Sequence, residues 1–203
     1  GNADIPPLEF DLYQPDGDTE TERPLVIVLH TGTFAPIIYN GNPTGMRQDI
    51  ATTLICESYA KRGYVVANLE YRLGWNPLAG TQEERTKQLI QAAYRGVQDS
   101  RTAVRYMRKS IAEDGNPWGV SGEKIAMCGD GTGGYITLAS ATISDYYDII
   151  LDDMGAPILK FWYDPGDGSS IPMVIEEIHG NPDATTDTYA PPSMGGIQLC
   201  IAN

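Results

Sequence analysis

Histidine is nearly missing from this sequence: His30 and His179 are the two in 203 residues, and cysteine is hardly commoner at three. Cys56, Cys128 and Cys200 are odd in number and widely separated, with no CxxC pair and few histidines to join them. That pattern excludes a disulfide framework and a zinc site, and it leaves three buried free thiols as the expectation. Basic residues are also short, since 14 Lys plus Arg stand against 27 Asp plus Glu, a net charge of −13. Such a balance repels nucleic acid and anionic membrane surfaces, and its plainest role is solubility. No apolar run approaches the roughly 20 residues of a membrane span. The start, GNADIPPLEF, has neither a basic n-region nor an apolar h-region, so no signal peptide is read in it; one removed before Gly1 would leave no trace.

The length suits one well-buried domain, read here as residues 1–203. Apolar runs alternate with helical patterns along it. Residues 8–13 (LEFDLY) alternate as an edge strand does and end at the turn QPDG. Residues 24–29 (PLVIVL) form a continuous apolar run, as expected of a central strand covered on both faces. Residues 46–62 have Ile50, Leu54, Tyr59 and Ala60 at helical spacing, with Gly63 as the stop, and 64–69 (YVVANL) is the next strand. Residues 82–112 form the longest helical stretch; its stripe of Leu89, Ala92, Ala93, Val97, Val104, Met107 and Ile111 is read as core and not as a binding surface. The order of strands and helices implies a three-layer α/β/α sandwich on a mostly parallel sheet.

Residues 124–128 (KIAMC) read as a buried strand that runs into GDGTGG, and the helix of 135–141 begins inside that glycine run. Strand, tight glycine turn and helix is a context shared by several chemistries. Gly129, Gly131 and Gly134 satisfy GxGxxG, but the unit follows earlier strands, and Asp148, Asp152 and Asp153 lie in an acidic loop instead of at a strand end, which argues against a dinucleotide site. No lysine closes the turn as a phosphate-binding loop requires. The remaining candidate is a nucleophile elbow, in which a sharp strand-to-helix turn lifts a reactive side chain clear of the sheet between small neighbours.

The surroundings favour the elbow. PLVIVLHTG (24–32), GYVVANLEYRLG (63–74), QDSRTAVRYMRKS (98–110) and WGVSGEKIAMCGDGTGG (118–134), in this order, resemble the α/β-hydrolase superfamily, in particular secreted carboxylesterases and lipases of the hormone-sensitive-lipase-like and feruloyl-esterase-like branches. The resemblance covers residues 8 to about 144 and implies the α/β-hydrolase fold, a small-molecule ester substrate or ligand, no cofactor, no metal, and a secreted or periplasmic location. Gly129, Gly133 and Gly134 match the small positions of the elbow, and Asp130 matches the residue before the nucleophile. Gly131 stands at the nucleophile position itself, where it has no side chain to attack an ester. Thr132 matches the residue whose backbone N–H belongs to the oxyanion hole. His30, Thr31, Gly32 and Thr33 lie where the family has an HGGG-type run, so Gly32, Thr33 and Thr132 are the implied oxyanion donors. Threonine in place of glycine narrows that hole without removing the backbone donors.

Other nucleophiles fit less well. Centring the frame on Asp130 puts Cys128 and Thr132 at the small positions, and Thr132 would need a shifted elbow and a neighbouring base. A triad in this family continues to an acid and then a histidine. His179, in IEEIHGNPD, is the one histidine after the elbow, and it comes too soon for the last strand of such a sheet. Asp164 and Asp167 precede it and could orient it, but a surface histidine in a hairpin inserted at 157–180 is the preferred reading. His30 is expected to shape the oxyanion loop. The loop 33–45 (TFAPIIYNGNPTG), with Tyr71, Trp75 and Tyr135, would line the substrate pocket. Residues 157–163 and 171–178 read as strands, and 197–202 (IQLCIA) as the next strand of the sheet. An apolar strand so close to the end suggests a missing C-terminal segment, or a second chain, that completes the sheet. Two readings therefore stand: an ester hydrolase in which a residue other than 131, or a water, attacks, and a non-catalytic relative, a pseudoenzyme, that keeps the pocket to bind a ligand or partner. For this chain the empty nucleophile position favours the second.

Overall fold

The computed structural model describes residues 7–17, 19–41, 44–179 and the strand 197–199. Cys200, the rest of the 197–202 run, residues 42, 43 and 180 of the segments named above, and Gly1 lie outside the described residues.

Sheet order follows from which strands can be covered. β1 (Glu9–Tyr13), β2 (Arg23–Leu29), β3 (Val65–Glu70), β4 (Val120–Gly129) and β7 (Ile197–Leu199) lie in the order β1-β3-β2-β4-β7. The amphipathic β1 is antiparallel to β3 and takes the edge, while β3, β2, β4 and β7 run parallel. In β2, Leu25 and Leu29 are fully buried, and Val26 and Val28, on the opposite face, are 2% and 1% exposed. Both faces of the strand are thus covered, which is why its sequence is continuous and not alternating.

One face carries α2 (Ile50–Ala60), with Cys56 and Ala60 packed on Val26, Val28, Val66 and Cys128. The other carries α3 (Gln82–Glu113) and α4 (Thr132–Thr142), with Val97, Val104, Met107 and Ile136 packed on Leu25, Ile27, Leu29 and Met127. Three layers result. The inward face of α2 is Thr52, Cys56 and Ala60, one every turn, whereas Ile50 and Leu54 are 78% and 58% exposed. Of the apolar positions spaced along that segment, Ile50 and Leu54 therefore point outward, while Ala60 and Tyr59 pack inward. Burial, reinforced by the neighbouring Cys128, pushes the Cys56 thiol up to about 12.

Polar pins hold α3 to its neighbours. Buried Asp99 receives the Arg72 guanidinium at 2.6 and 2.9 Å and the Arg72 N–H at 2.8 Å, which ties the end of β3 to the middle of α3. Ser100 and Ser140 share a hydroxyl bond of 2.9 Å, and Arg101 donates to the carbonyls of Ser140, at 2.9 Å, and Ile143. Buried charges persist only when paired in this way.

Beyond α4 the chain wraps back over α3. α1 (Ile37–Asn40) interrupts the loop after β2, and α5 (Tyr147–Ile150), a 3₁₀ turn (Leu159–Phe161), β5 (Trp162–Tyr163), β6 (Ile171–Pro172) and α6 (Glu176–His179) follow α4. The strands expected at 157–163 and 171–178 shrink to the two-residue antiparallel pair β5–β6. The shortening has two visible causes: Pro172 lacks a ladder N–H, and the backbone after it is drawn into contacts with α3, where Gln91 donates to the Met173 carbonyl at 2.8 Å.

Candidate active site

The end of β4 and the start of α4 form a turn too tight for side chains. Asp130 N–H donates to the Leu29 carbonyl at 3.1 Å, which ties the turn to the end of β2. A Cβ on Gly133 would lie 2.2 Å from that same Leu29 oxygen, so helix and strand approach closely only because residue 133 is glycine. Gly131 caps α4 at φ 54° and ψ −116°, a conformation that side-chain-bearing residues adopt only under strain. The turn therefore keeps the strained form that lifts residue 131 into solvent, where it is exposed. Gly133 and Gly134 N–H groups are taken by the carbonyls of Asp130 and Gly131 at 2.9 and 3.1 Å. The N–H of Thr132 stands one residue before them at the head of the helix, where the backbone dipole is positive.

Facing this turn is the loop after β2. Thr33 and Phe34 have φ of 57° and 60°, unusual for residues that carry a Cβ. The strain is held by a clamp: Gly74 and Trp75 N–H groups both donate to the Phe34 carbonyl at 2.9 Å, and Ala35 N–H closes onto the Gly32 carbonyl at 3.1 Å. Buried Tyr71 supports the loop from below. Its hydroxyl donates to the His30 carbonyl at 2.8 Å and lies 3.0 Å from Thr132 Oγ1, so one side chain joins the two halves of the site. Burial pushes the Tyr71 hydroxyl well above its ordinary range, partly offset by the Thr132 hydrogen bond, so at neutral pH it offers a proton and not a base.

His30 lies wholly buried beneath the loop, its ring stacked on Tyr71 with centroids 4.2 Å apart. Nδ1 meets the Thr31 carbonyl at 2.5 Å, and Nε2 faces Glu70 Oε1 at 3.3 Å. Burial opposes ionisation of Glu70, but the facing His30 ring, the hydrogen bond from the Arg47 N–H and the charge of the Arg47 guanidinium outweigh it and hold the carboxyl below its usual range. Arg47 in turn reaches Glu9 at 2.8 Å and Asp11 at 3.2 Å on β1. The histidine thus sits within a structural network, on the side of the loop away from solvent.

Between the loop, α3 and α4 lies a cavity of about 610 Å³. Thr33, Phe34 and Trp75 wall it on the loop side, and Thr132, Tyr135, Ile136 and Ala139 on the α4 side. Leu89, Ala93 and Val97 of α3 form its floor, and Ile149 and Phe161 of the returning segment close it. Leu89, Ala93 and Val97 of the α3 stripe therefore border a cavity while also packing on the core, and Ala92, Val104 and Met107 pack in the core alone. Of the aromatic residues expected in a pocket, Trp75 and Tyr135 stand on its wall; Tyr71 is 1% exposed and lies behind the loop because its hydroxyl serves His30 and Thr132.

His179 is not joined to the elbow by any described contact. Its Nδ1 accepts from Ile175 N–H at 2.9 Å within its own turn, and its carbonyl is held by Gln98 at 2.5 Å. Asp164 and Asp167 are turned to the local N–H groups of Gly166, Gly168 and Ser169, not to the histidine. Asp130 is half-buried at the elbow. Among the described residues no group of His, Cys, Asp and Glu could hold a metal ion, and no helix is long and apolar enough to cross a membrane.

The same stretch of chain that builds the sheet, the loop and the elbow, residues 10–155, matches the family model described as BD-FAE. The chain belongs to the BD-FAE family. Its parallel sheet, covered faces and strand-to-helix elbow are of α/β-hydrolase type. Similar solved structures include the propionate-bound form of a thermophilic esterase, Est2, from the Planctomycetes species Thermogutta terrifontis, at 21% identity and a TM-score of 0.48, with 78% of this chain and 46% of that one covered. A bacterial heroin esterase is similar at 23% identity and a TM-score of 0.42, with 66% of this chain and 33% of that one covered. The chain thus spans less than half the length of these proteins, and at such scores membership rests on the family match. No curated protein matches it significantly.

Proposed function

We propose that this BD-FAE chain is a carboxylesterase-like protein that binds a small ester-type molecule, with an apolar group in the cavity and a carbonyl at the elbow, and that it forms no acyl-enzyme at residue 131. The observation that carries this reading is the apex of the elbow. Gly131 keeps the strained φ 54°, ψ −116° of a nucleophile turn beside an apolar cavity, yet offers no atom that can attack. The remaining parts support binding. A largely apolar space of about 610 Å³ suits an acyl or aromatic group, and the N–H groups of Gly32, Thr33 and Thr132 are the candidate donors to its carbonyl oxygen.

Thr132 is a poor substitute nucleophile. The group its hydroxyl faces, Tyr71, holds its proton at neutral pH and cannot serve as a base. Turnover of a short-chain nitrophenyl ester, measured beside binding of an apolar fluorescent probe, tests the proposal. A folded sample is expected to bind the probe and to leave ester hydrolysis at the buffer rate. Hydrolysis above buffer that disappears on Thr132→Ala would sink the non-acylating reading and return the chain to the esterases.

A further inference from the structure

The position that an attacking side chain would occupy is not vacant. A Cβ built on Gly131 would stand 2.3 Å from Thr31 Oγ1 and 3.1 Å from Thr31 Cβ, both far inside ordinary contact. A serine or cysteine at residue 131 would have to rise through the space that the Thr31 side chain already fills. The Thr31 hydroxyl hydrogen-bonds to no described residue, although its neighbours on both sides are tightly held. Thr31 itself is only partly buried, and although it does not line the cavity its hydroxyl stands beside Gly131, the residue before the lining residue Thr132.

We infer that Thr31 is a ligand-binding residue whose hydroxyl replaces the missing side chain of the elbow and donates a hydrogen bond to the carbonyl oxygen of the bound molecule. This rests on the reading of the cavity as a carbonyl-ligand site. A carbonyl oxygen has two lone pairs, so it can accept from the Thr31 hydroxyl and from Thr132 N–H together. The arrangement converts a turn built to attack a carbonyl into one that only holds it. The ligand class that fits is a neutral ester or ketone with an apolar body, because the cavity walls carry no cation and the chain's net charge of −13 disfavours a free carboxylate.

Acetophenone and ethylbenzene, which differ in size by little more than an oxygen, separate the hydrogen bond from the apolar contact. Their dissociation constants would be measured by NMR titration for the wild type, Thr31→Val and Thr31→Ser, with Thr31→Ala as a second hydroxyl-free variant should the valine not fold. Thr31→Val is expected to weaken acetophenone by about two- to tenfold, the range of one neutral hydrogen bond, and to leave ethylbenzene within about twofold. Thr31→Ser should retain the wild-type preference. If removal of the hydroxyl leaves acetophenone unchanged, or weakens both probes equally, Thr31 is not the carbonyl contact. If neither probe binds the wild type, the cavity reading itself fails and this inference fails with it.

Discussion

Putting a serine at residue 131 tests the relation between the elbow and the loop opposite. Two separate costs arise. A residue with a Cβ must accept φ 54° and ψ −116°, which costs about 1–3 kcal/mol in a sparsely populated region. The new Cβ also displaces Thr31, whose Oγ1 stands 2.3 Å away, and forcing that side chain off its rotamer costs about 1 kcal/mol. Gly131→Ser should therefore destabilise by about 2–4 kcal/mol, or roughly 4–15 °C in Tm for a domain of this length. Thr31→Gly removes the second cost, because the next contact, Thr31 Cα at 3.8 Å, is ordinary packing. The double variant Thr31→Gly/Gly131→Ser should melt roughly 2–4 °C above the value that adding the single effects gives, a coupling of about 1 kcal/mol. Thermal melts of the wild type, both single variants and the double variant form the complete cycle. Strict additivity would refute the claim that residues 31 and 131 compete for one space.

Two further outcomes follow from the charged pins around the site. Asp99→Ala should destabilise by about 3 kcal/mol or somewhat less in urea unfolding, because the Arg72 guanidinium loses its bidentate partner but keeps part of its surface in water; a loss no larger than that of an exposed aspartate would contradict the role given to this pair. Glu70 ionises more readily folded than unfolded, so its contribution is complete above its ordinary value of 4.5 and is lost as pH falls through the depressed folded value. Urea midpoints for wild type and Glu70→Gln should accordingly converge between about pH 6 and pH 3, and a constant gap would show that the carboxylate is not held by His30 and Arg47.

The strands at 24–29 and 64–69 and the helix of 82–112 were legible because burial on both sheet faces demands a continuous apolar run, and burial of one helix face demands a 3.6-residue rhythm. The glycine elbow was legible for a similar local reason, since a turn this tight admits only glycine where strand and helix touch. The α3 stripe shows where such reasoning stops. Leu89, Ala93 and Val97 obey the same rhythm as Val104 and Met107, and an apolar side chain facing a cavity is written like one facing a core. Tyr71 carried no sign of being buried behind the loop, because its role depends on residues 30 and 132, which only the sheet brings together.

One signal was present in the sequence and divided between two motifs. HTG, which resembles a glycine run, carries a side chain at Thr31, and GDG, which resembles a nucleophile elbow, carries none at Gly131. Each feature taken alone reads as decay. The sequence by itself determined the α/β architecture, the glycine turn and the lack of any side chain at residue 131, because these depend on local pattern and on the chemistry a residue type possesses. The tertiary structure decided that the two features meet, with the Thr31 hydroxyl 2.3 Å from where a Gly131 Cβ would stand, because parallel pairing of β2 and β4 brings their ends side by side across a long stretch of chain.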